Sequence, residues 1–366
     1  MNPRWKKIVI KVGSALIAPN QTGCSNQFLL SIANFIVQCR LDDIQVILVS
    51  SGSVAAGAHL FEQTEIDNIA QRKAMAAAGQ SEMIATWDKL FDFNIAQVLL
   101  THADLKNKER YESVKSTINT LASANILPVV NENDAVTTDK FKIGDNDNLS
   151  ALVAAAIGAD ALIICSDIDG LYNANPHENP DAKLITNVKV IDQNIKNMAT
   201  GSDSAVGTGG MITKLEAAEK AISSGVDTYI VNGTNGTALN SLLQGNNPGT
   251  LFHAKPDVNA KSSLWLRHAT RIHGELVVED DYQVPQKQLG ESLSPEHLIE
   301  VNGNFDAGDI VLLRKDNGEK LAKVQTKFSS CLLQLVAQNT DSSLSPTFDY
   351  PANQILSETY IDLTGA

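Results

Sequence analysis

The chain has 366 residues, of which 43% are hydrophobic and 19% are charged, a composition typical of a folded protein rather than of a disordered one. Its 42 acidic and 29 basic side chains give a formal net charge of -13, which argues against a general affinity for the backbone of DNA or RNA. The length suits one large domain followed by a smaller one.

The cysteines and the apolar segments indicate the cellular compartment of the protein. Four cysteines (Cys24, Cys39, Cys165 and Cys331) form no Cys-x-x-Cys pair, so we expect reduced, small apolar side chains. The first apolar run, at 8–10, is interrupted by Lys11, which does not suit a signal peptide. The most apolar later stretch, 149–165, contains Asp160 and is too short to cross a bilayer. We therefore expect a cytoplasmic protein with no membrane partner.

Through about residue 255, strand-like apolar runs alternate with longer segments of helical spacing. The predicted strands are 7–12, 45–49, 96–100, 126–130, 161–165 and 228–231, and the predicted helices are 27–40, 69–91, 109–124, 149–158 and 211–224. Several of the strands are almost uninterrupted apolar runs, as in a parallel sheet that is covered on both faces. This alternation predicts a three-layer α/β/α sandwich with a mainly parallel central sheet.

The pattern changes in the last third of the chain. Short strand-like runs at 275–278, 310–314 and 321–324 are joined by turn signals such as Asn302-Gly303 and Asn317-Gly318. The sequence therefore predicts a large domain over 1–255, a linker over 256–273 and a small β-rich domain over 274–366.

The ends of the first two strands carry residues that suit a phosphate site. In open α/β sheets, ligands bind beyond the carboxyl ends of the strands. Lys11 interrupts an apolar strand, so its ammonium group must reach solvent or an anion. The small residues of 50–57 leave backbone N–H groups free for an anion, although Ala58-His59 excludes a P-loop, which requires Lys-Ser/Thr there. Each feature alone also fits a surface lysine or a tightly packed turn.

Later strand ends add acidic, amide and glycine residues. Segments 131–134 and 144–148 are rich in Asp, Asn and Glu, and an N-cap or a turn would explain only one or two of these side chains. Their chemistry suits binding of an amino-acid ammonium group and organisation of reacting groups around Mg²⁺. The fifth strand ends in Ser166-Asp167, and the glycine-rich segment 207–210 leads into a helix whose first turn contains Lys214.

These segments, in this order, resemble the amino acid kinase family. The sequences of 50–57, 131–136, 144–152 and 207–214 together carry the resemblance, which covers nearly the whole chain. The chain is similar to the bacterial two-domain members that phosphorylate glutamate and carry a C-terminal PUA domain. Small departures occur at Ser14, Ser53 and Ser166, where threonine, alanine and threonine are usual in the family.

The resemblance implies a role for individual residues. Lys11, Lys214 and Asp147 would be catalytic, with Asp147 orienting the two lysines, and Ser51, Asp134 and Asn146 would bind glutamate. The ATP site implied by the resemblance consists of Lys11, Ser166, Asp167, Thr208, Gly209, Gly210, Met211, Ile212, Thr213 and Lys214. Mg²⁺ would be held mainly by the ATP phosphates, and no side chain is assigned to it.

The resemblance also implies a reaction. The γ-phosphoryl group of ATP would pass to the side-chain carboxylate of L-glutamate, giving L-glutamyl 5-phosphate, the first step of proline biosynthesis. A carboxylate is already ionised near neutral pH and needs no general base, and the seven histidines show no metal or triad spacing. Feedback inhibition by proline and a homo-oligomer, either a dimer or a tetramer, are further implications.

Two alternatives stay open at this point. The same fold serves kinases of N-acetylglutamate, aspartate and nucleoside monophosphates, although the second acidic and amide block and the β-rich tail favour glutamate. A protein of another class would bind RNA through its tail, with the kinase-like domain as a scaffold. Segments 303–309 and 318–322 look PUA-like, but Ala322-Lys323-Val324 replaces the usual Ala-basic-Gly. Residues 275–366 hold 15 acidic and 6 basic side chains, so we do not expect nucleic-acid binding.

Overall fold

The structure, a computed structural model, describes residues 5–61, 68–105, 107–137, 145–176, 178–199, 210–254, 272–282, 293, 297–338 and 355–362. The chain divides into two compact units, Met1–Asn259 and Ala260–Ala366. Of the predicted linker, residues 256–271 lie outside the described residues.

A central sheet of eight strands organises the first unit. The strands are β1 (Lys7–Val12), β2 (Gln45–Ser50), β3 (Ile95–Leu100), β4 (Leu127–Glu132), β5 (Ala161–Ser166), β6 (Asn187–Val188), β7 (Asp227–Asn232) and β8 (Thr250–Phe252). Their order is β3-β4-β2-β1-β5-β7-β8-β6. The first six strands in this order run parallel to one another. Strand β8 is antiparallel to β7 and pairs parallel with β6. The sequence predicted the six long strands and missed β6 and β8, which are too short to show a pattern.

Helices cover both faces of this sheet. They are α1 (Ser14–Ile17), α2 (Asn26–Leu41), α3 (Ser53–Gly57), α4 (Ile69–Asp88), α5 (Lys108–Ser123), α6 (Asn146–Ile157), α7 (Gln193–Ala199), α8 (Met211–Ser223) and α9 (Gly236–Leu243). Side chains of α2, α9 and the end of α4 share one apolar core with the strands, while α5, α6 and α8 pack on the other side. The predicted three-layer α/β/α sandwich with a mainly parallel sheet is confirmed. Within the part of the chain that the structure describes, no helix is long and apolar enough to cross a membrane.

Helix α6 begins three residues earlier than the sequence pattern predicted. The side chain of Asp145 accepts a hydrogen bond from the backbone N–H of Asn148 at 3.3 Å and so caps the helix. Asn146 and Asp147 therefore lie in the first helical turn, where both are buried. This start aims two polar side chains at the edge of the sheet.

Helices α3 and α4 cross at two glycines. A Cβ atom on Gly57 would lie 2.1 Å from the carbonyl oxygen of Met75, and one on Gly79 would lie 2.0 Å from that of Ser53. Only glycine permits so close an approach of two backbones. The contact fixes both ends of α3 against the middle of α4.

The second unit contains a separate five-stranded sheet. Its strands are β9 (Gly274–Val278), β10 (Leu298–Gly303), β11 (Ile310–Lys315), β12 (Lys320–Thr326) and β13 (Leu356–Asp362), in the order β10-β9-β11-β12-β13, and its helix is α10 (Ser330–Gln338). Leu276, Val311, Leu313, Val324 and Leu333 are buried in its core. The sequence predicted β9, β11 and β12 and missed the other three elements.

Candidate active site

The carboxyl ends of the central strands meet at one edge of the sheet. Val12 of β1 pairs with Ser50 of β2 on one side and with Cys165 of β5 on the other. Beyond these ends, the backbone N–H of Gly13 donates to the carbonyl of Cys165 at 3.1 Å, and that of Ser51 donates to the carbonyl of Val12 at 3.0 Å. The segments after β1, β2 and β5 therefore begin side by side.

Asp147 joins two lysines at this edge. Its Oδ1 atom lies 2.6 Å from Lys11 Nζ, and its Oδ2 atom lies 3.4 Å from Lys214 Nζ. Thr213, one residue before Lys214, donates a hydrogen bond from Oγ1 to Asp147 Oδ2 at 2.8 Å. The three charged side chains are 3% to 7% exposed. The structure thus brings together all three residues that the sequence analysis assigned to catalysis, from β1, α6 and α8.

The charged groups at this centre shift one another's pKa values. Burial alone would raise the pKa of Asp147, but the ammonium groups of Lys11 and Lys214 outweigh it and hold the pKa of that carboxyl far below its usual range. Burial lowers the pKa of Lys11, and Asp147 opposes this shift while the charge of Lys214 adds to it. Two buried ammonium groups thus share one carboxylate, an arrangement that suits an additional anion.

A relay of side-chain amides lies beside Asp147. Asn146 Oδ1 accepts a hydrogen bond from the backbone N–H of Glu132 at 3.2 Å, and Asn146 Nδ2 donates to Asn131 Oδ1 at 2.9 Å. Asn131 Nδ2 in turn donates to Gln80 Oε1 of α4 at 2.6 Å. Asn146 is one of the residues that the sequence predicted to bind the substrate, whereas Gln80 was not predicted.

The turn after β2 faces the turn after β4. Ser53 Oγ donates to Asp134 Oδ2 at 3.3 Å, and both side chains are 3% exposed. The hydroxyl oxygen of Ser51 is buried and has no hydrogen-bond partner among the described residues. A buried hydroxyl in this state has capacity for a ligand. Ser51, Asp134 and Asn146, the three predicted glutamate-binding residues, thus belong to the ends of β2 and β4 and to the adjoining first turn of α6.

A buried histidine supports this part of the site and was missed by the sequence analysis. His102 Nδ1 lies 2.9 Å from Glu132 Oε2, and Thr137 Oγ1 donates to Glu132 Oε1 at 2.6 Å. Thr137 ends the turn that contains Asp134. The scattered spacing of the histidines gave no signal, because His102 meets Glu132 only through the pairing of β3 with β4.

The residues predicted to bind the nucleotide lie at the end of β5 and at the start of α8. Ser166 is buried, and its Oγ donates to Oδ1 of the exposed Asp167 at 3.0 Å. Gly210 stands at the N-cap of α8 and has no side chain to cap the helix, and the first turn is Met211, Ile212, Thr213 and Lys214. The first N–H groups of a helix have no partner within the helix, so this N-terminus beside two ammonium groups fits a polyphosphate. The predicted residues Thr208 and Gly209 lie outside the described residues.

A second polar bridge ties α6 to α8. Asn148 Nδ2 donates to Glu216 Oε2 at 3.3 Å, and Lys220 Nζ donates to Asn148 Oδ1. Asn148 is buried. Because α6 carries Asp147 and α8 carries Lys214, the bridge fixes the separation of the two catalytic candidates.

Among the described residues there is no group of three or more His, Cys, Asp or Glu side chains that could hold a metal ion.

Comparison with known proteins decides the family. Residues 6–232 match the model of the amino acid kinase family. The chain belongs to that family. It is 50% identical over 359 residues to glutamate 5-kinase 1 of Pseudoalteromonas translucida, with 98% of each chain covered. It is 49% identical over 358 residues to the glutamate 5-kinase of Idiomarina loihiensis, with 97% of this chain and 96% of the relative covered.

A solved structure resembles part of the chain. The UMP kinase of Bacillus anthracis is 13% identical, covers 70% of this chain and 99% of its own, and gives a TM-score of 0.49. The match to the family model and the two glutamate 5-kinase relatives confirm the resemblance to the amino acid kinase family that the motifs indicated. The roles of the individual site residues stay predictions.

Proposed function

We propose that the protein is a glutamate 5-kinase, which transfers the γ-phosphoryl group of ATP to the side-chain carboxylate of L-glutamate. The observation that carries the proposal is the Lys11–Asp147–Lys214 centre at the edge of the sheet where the buried side chains of Ser51, Asp134 and Asn146 also lie. The names of relatives that match over nearly the full chain support the same substrate. The product is L-glutamyl 5-phosphate.

The reaction follows from the charge distribution. A γ-carboxylate oxygen of glutamate attacks the γ-phosphorus in line, and the bond from that phosphorus to the bridging oxygen of ADP breaks. The nucleophile is ionised near neutral pH, so no proton has to be removed. Lys11 and Lys214 stabilise the charge on the phosphoryl oxygens, and Asp147 keeps the two ammonium groups apart and oriented.

ATP would bind as its Mg²⁺ complex. The N-terminus of α8 and the ammonium groups of Lys11 and Lys214 suit the triphosphate, and Ser166 and Asp167 at the end of β5 suit the nucleoside. Mg²⁺ would be held mainly by the ATP phosphates, and it would supply positive charge that offsets theirs. The proposed segment for ATP also includes Thr208 and Gly209.

The acceptor lies on the other side of the phosphoryl centre. Asp134, an acidic residue that is 3% exposed, suits the α-ammonium group of glutamate. Ser51 Oγ and the Asn146 amide offer hydrogen bonds to carboxylate oxygens. Such a pocket favours a free amino group over the N-acetyl group of a rival acceptor.

Trapping of the acyl phosphate tests the proposal. The full chain is incubated with ATP, Mg²⁺ and hydroxylamine, and hydroxamate formation is compared for L-glutamate, N-acetyl-L-glutamate and L-aspartate, with ADP release from UMP as a fourth arm. We expect L-glutamate to give the highest kcat/KM: at least about 100-fold above N-acetyl-L-glutamate, because a site that binds a charged group strongly rejects an analogue without it, and at least about tenfold above L-aspartate, which keeps the charges but is one methylene shorter. A higher kcat/KM for another acceptor, or RNA binding without ATP turnover, would overturn it.

The proposal extends to the pathway, regulation, oligomeric state, location and domain organisation of the enzyme. L-glutamyl 5-phosphate is the first intermediate of proline synthesis, and feedback inhibition by proline, a homo-oligomer and a cytoplasmic location fit an enzyme of this kind. We assign the kinase domain to 1–255, the linker to 256–273 and a PUA-like domain to 274–366. The acidic balance of the last domain argues against nucleic-acid binding.

A further inference from the structure

We infer that Gln80 of α4 is an additional substrate-binding residue, whose side-chain Nε2 donates a hydrogen bond to the α-carboxylate of the amino-acid acceptor. This atom is buried and has no hydrogen-bond partner among the described residues, although the Oε1 atom of the same amide is hydrogen-bonded. A buried donor without a partner costs free energy, so its presence beside a candidate pocket points to a ligand that accepts the bond. The inference rests on the proposed function.

The direction of the amide relay determines that Gln80 offers a donor. The relay starts at the backbone N–H of Glu132, which can only donate, so the atom of Asn146 that faces it must be Oδ1. Asn146 Nδ2 then faces Asn131 Oδ1, and Asn131 Nδ2 faces Gln80 Oε1. The last free position of the chain is therefore an N–H group. A carboxylate oxygen matches it, whereas an ammonium group does not.

Packing places Gln80 at the acceptor pocket. Its neighbour Gly79 contacts the backbone of Ser53, and Ser53 Oγ donates to Asp134. One turn further along α4, Met83 Sδ lies 3.2 Å from Ser50 Oγ. Gln80 thus lies on the side of α4 that faces the turn after β2, where another unpartnered buried atom, Ser51 Oγ, is found.

The position of Gln80 relative to Lys11 across the sheet indicates which of the two carboxylates of glutamate it contacts. Gln80 contacts Asn131 of β4, whereas Lys11 is in β1, and β2 lies between these strands. Strands in a sheet are about 4.8 Å apart, so Asn131 and Lys11 are separated by about 10 Å across the sheet. The carboxylate that receives the phosphoryl group must face Lys11, which leaves the α-carboxylate for Gln80.

The substitution Gln80→Glu tests the donor without breaking the relay. One carboxylate oxygen still accepts from Asn131 Nδ2, while the other replaces the donor by a negatively charged acceptor. We expect KM for L-glutamate to rise roughly 10- to 100-fold, the effect of losing a hydrogen bond to a charged group. At saturating glutamate, kcat should stay within about threefold of the unaltered protein, and KM for ATP should not change. Gln71→Glu, on the same helix, is the matched control and should leave all three constants unchanged.

A change in ligand preference separates substrate contact from a structural role. The α-amide of glutamate keeps the γ-carboxylate but presents an N–H donor where the α-carboxylate had an acceptor. The ratio of kcat/KM for glutamate to that for its α-amide should fall at least about tenfold in Gln80→Glu. An equal loss for both substrates, or unchanged KM values, would overturn the inference.

A second variant covers a failure to fold. Gln80→Met removes both polar atoms at similar volume and should raise KM for glutamate while leaving the fluorescence-monitored melting temperature and KM for ATP near those of the unaltered protein. An unchanged KM for glutamate in that variant also contradicts the inference. Failure of the unaltered protein to phosphorylate glutamate would instead refute the proposed function, so the two failures are distinguishable.

Discussion

Lys11 Nζ lies 2.6 Å from Asp147 Oδ1, although the two residues come from β1 and α6 and neither side chain is more than 6% exposed. The second oxygen of the same carboxylate faces Lys214. Removal of one charge from such a buried group leaves the others without compensation, so each member is tested by a different measurement.

Lys214→Ala should lower kcat by at least about 100-fold, comparable to the loss of one preorganised donor to a transition-state anion. KM for glutamate should change little, because the proposed partner of Lys214 is the phosphoryl group and not the amino-acid acceptor. Hydroxamate formation at saturating substrates measures the effect. Lys196→Ala, which removes an exposed lysine paired with Glu219, is the control and should keep its kcat. Turnover of Lys214→Ala within tenfold of the unaltered protein would remove Lys214 from the mechanism.

Asp147→Asn should destabilise the fold in the absence of nucleotide by about 3–5 kcal/mol, because two buried ammonium groups lose their carboxylate. Urea unfolding at pH 7 measures this loss. Asp88→Asn, at the exposed end of α4, serves as the control.

The pH dependence of this effect has a defined sign. The folded-state pKa of Asp147 is held far below its unfolded value, so its contribution is fully present above about pH 5 and is lost as the pH falls through the acid range. The difference between the unaltered protein and Asp147→Asn should therefore shrink as the pH is lowered from 5 towards 3. A constant difference over that range would contradict the ion-pair account.

The sequence predicted the edge of the sheet well because strand ends are encoded locally. Lys11, Ser51 and Ser166 each follow or interrupt an apolar run, and parallel strands bring such positions together whatever the details of packing. The convergence of Lys11, Asp147 and Lys214 on one point came from the family resemblance, since no spacing along the chain reports it.

Two features of the site could not be predicted from local sequence patterns. Asp145, Asn146, Asp147 and Asn148 are all good N-cap residues, so the pattern alone did not select Asp145 as the cap, and α6 was predicted to start three residues too late. Gln80 looks like any polar residue of α4, and its role in the relay appears only when that helix is packed against β4.

The protonation of Lys11 should set an upper pH limit for nucleotide binding. Burial lowers its pKa below that of an ordinary lysine; Lys214 adds to the shift, while Asp147 and Asp145 oppose it. Because the charged form is the one that binds phosphate, kcat/KM for ATP, which reports the free enzyme, should fall with rising pH before ordinary lysines titrate. Cys165, the neighbouring thiol, does not interfere, since burial raises its pKa to about 12.

The substitution Lys11→Arg tests whether Lys11 is the group that sets this upper pH limit. Arginine stays charged throughout the accessible range, so the alkaline decline should move to higher pH even though the less compact guanidinium lowers the rate. Parallel profiles for the unaltered protein and the variant between pH 7 and 10.5 provide the measurement. The same alkaline midpoint in both proteins would assign the decline to another group.

Gly79→Ala should separate the amino-acid pocket from the nucleotide site. The new methyl group would lie 2.0 Å from the carbonyl oxygen of Ser53 and 2.4 Å from the backbone nitrogen of Gly57, and backbone atoms cannot rotate away as a side chain does. Helix α3 must shift, at a cost of about 3 kcal/mol in the free energy of unfolding. Since Ser51 and Ser53 move with α3, KM for glutamate should rise several-fold more than KM for ATP.

Gly158→Ala is the comparison for this effect. A methyl group there meets no atom within 4 Å, and the cost comes only from the positive φ of 66°, about 1 kcal/mol. This variant should keep both KM values, because the end of α6 is remote from its first turn. If Gly79→Ala were no less stable than Gly158→Ala, or if its KM for ATP rose as much as that for glutamate, the crossing of α3 and α4 would not be what positions Ser51 and Ser53.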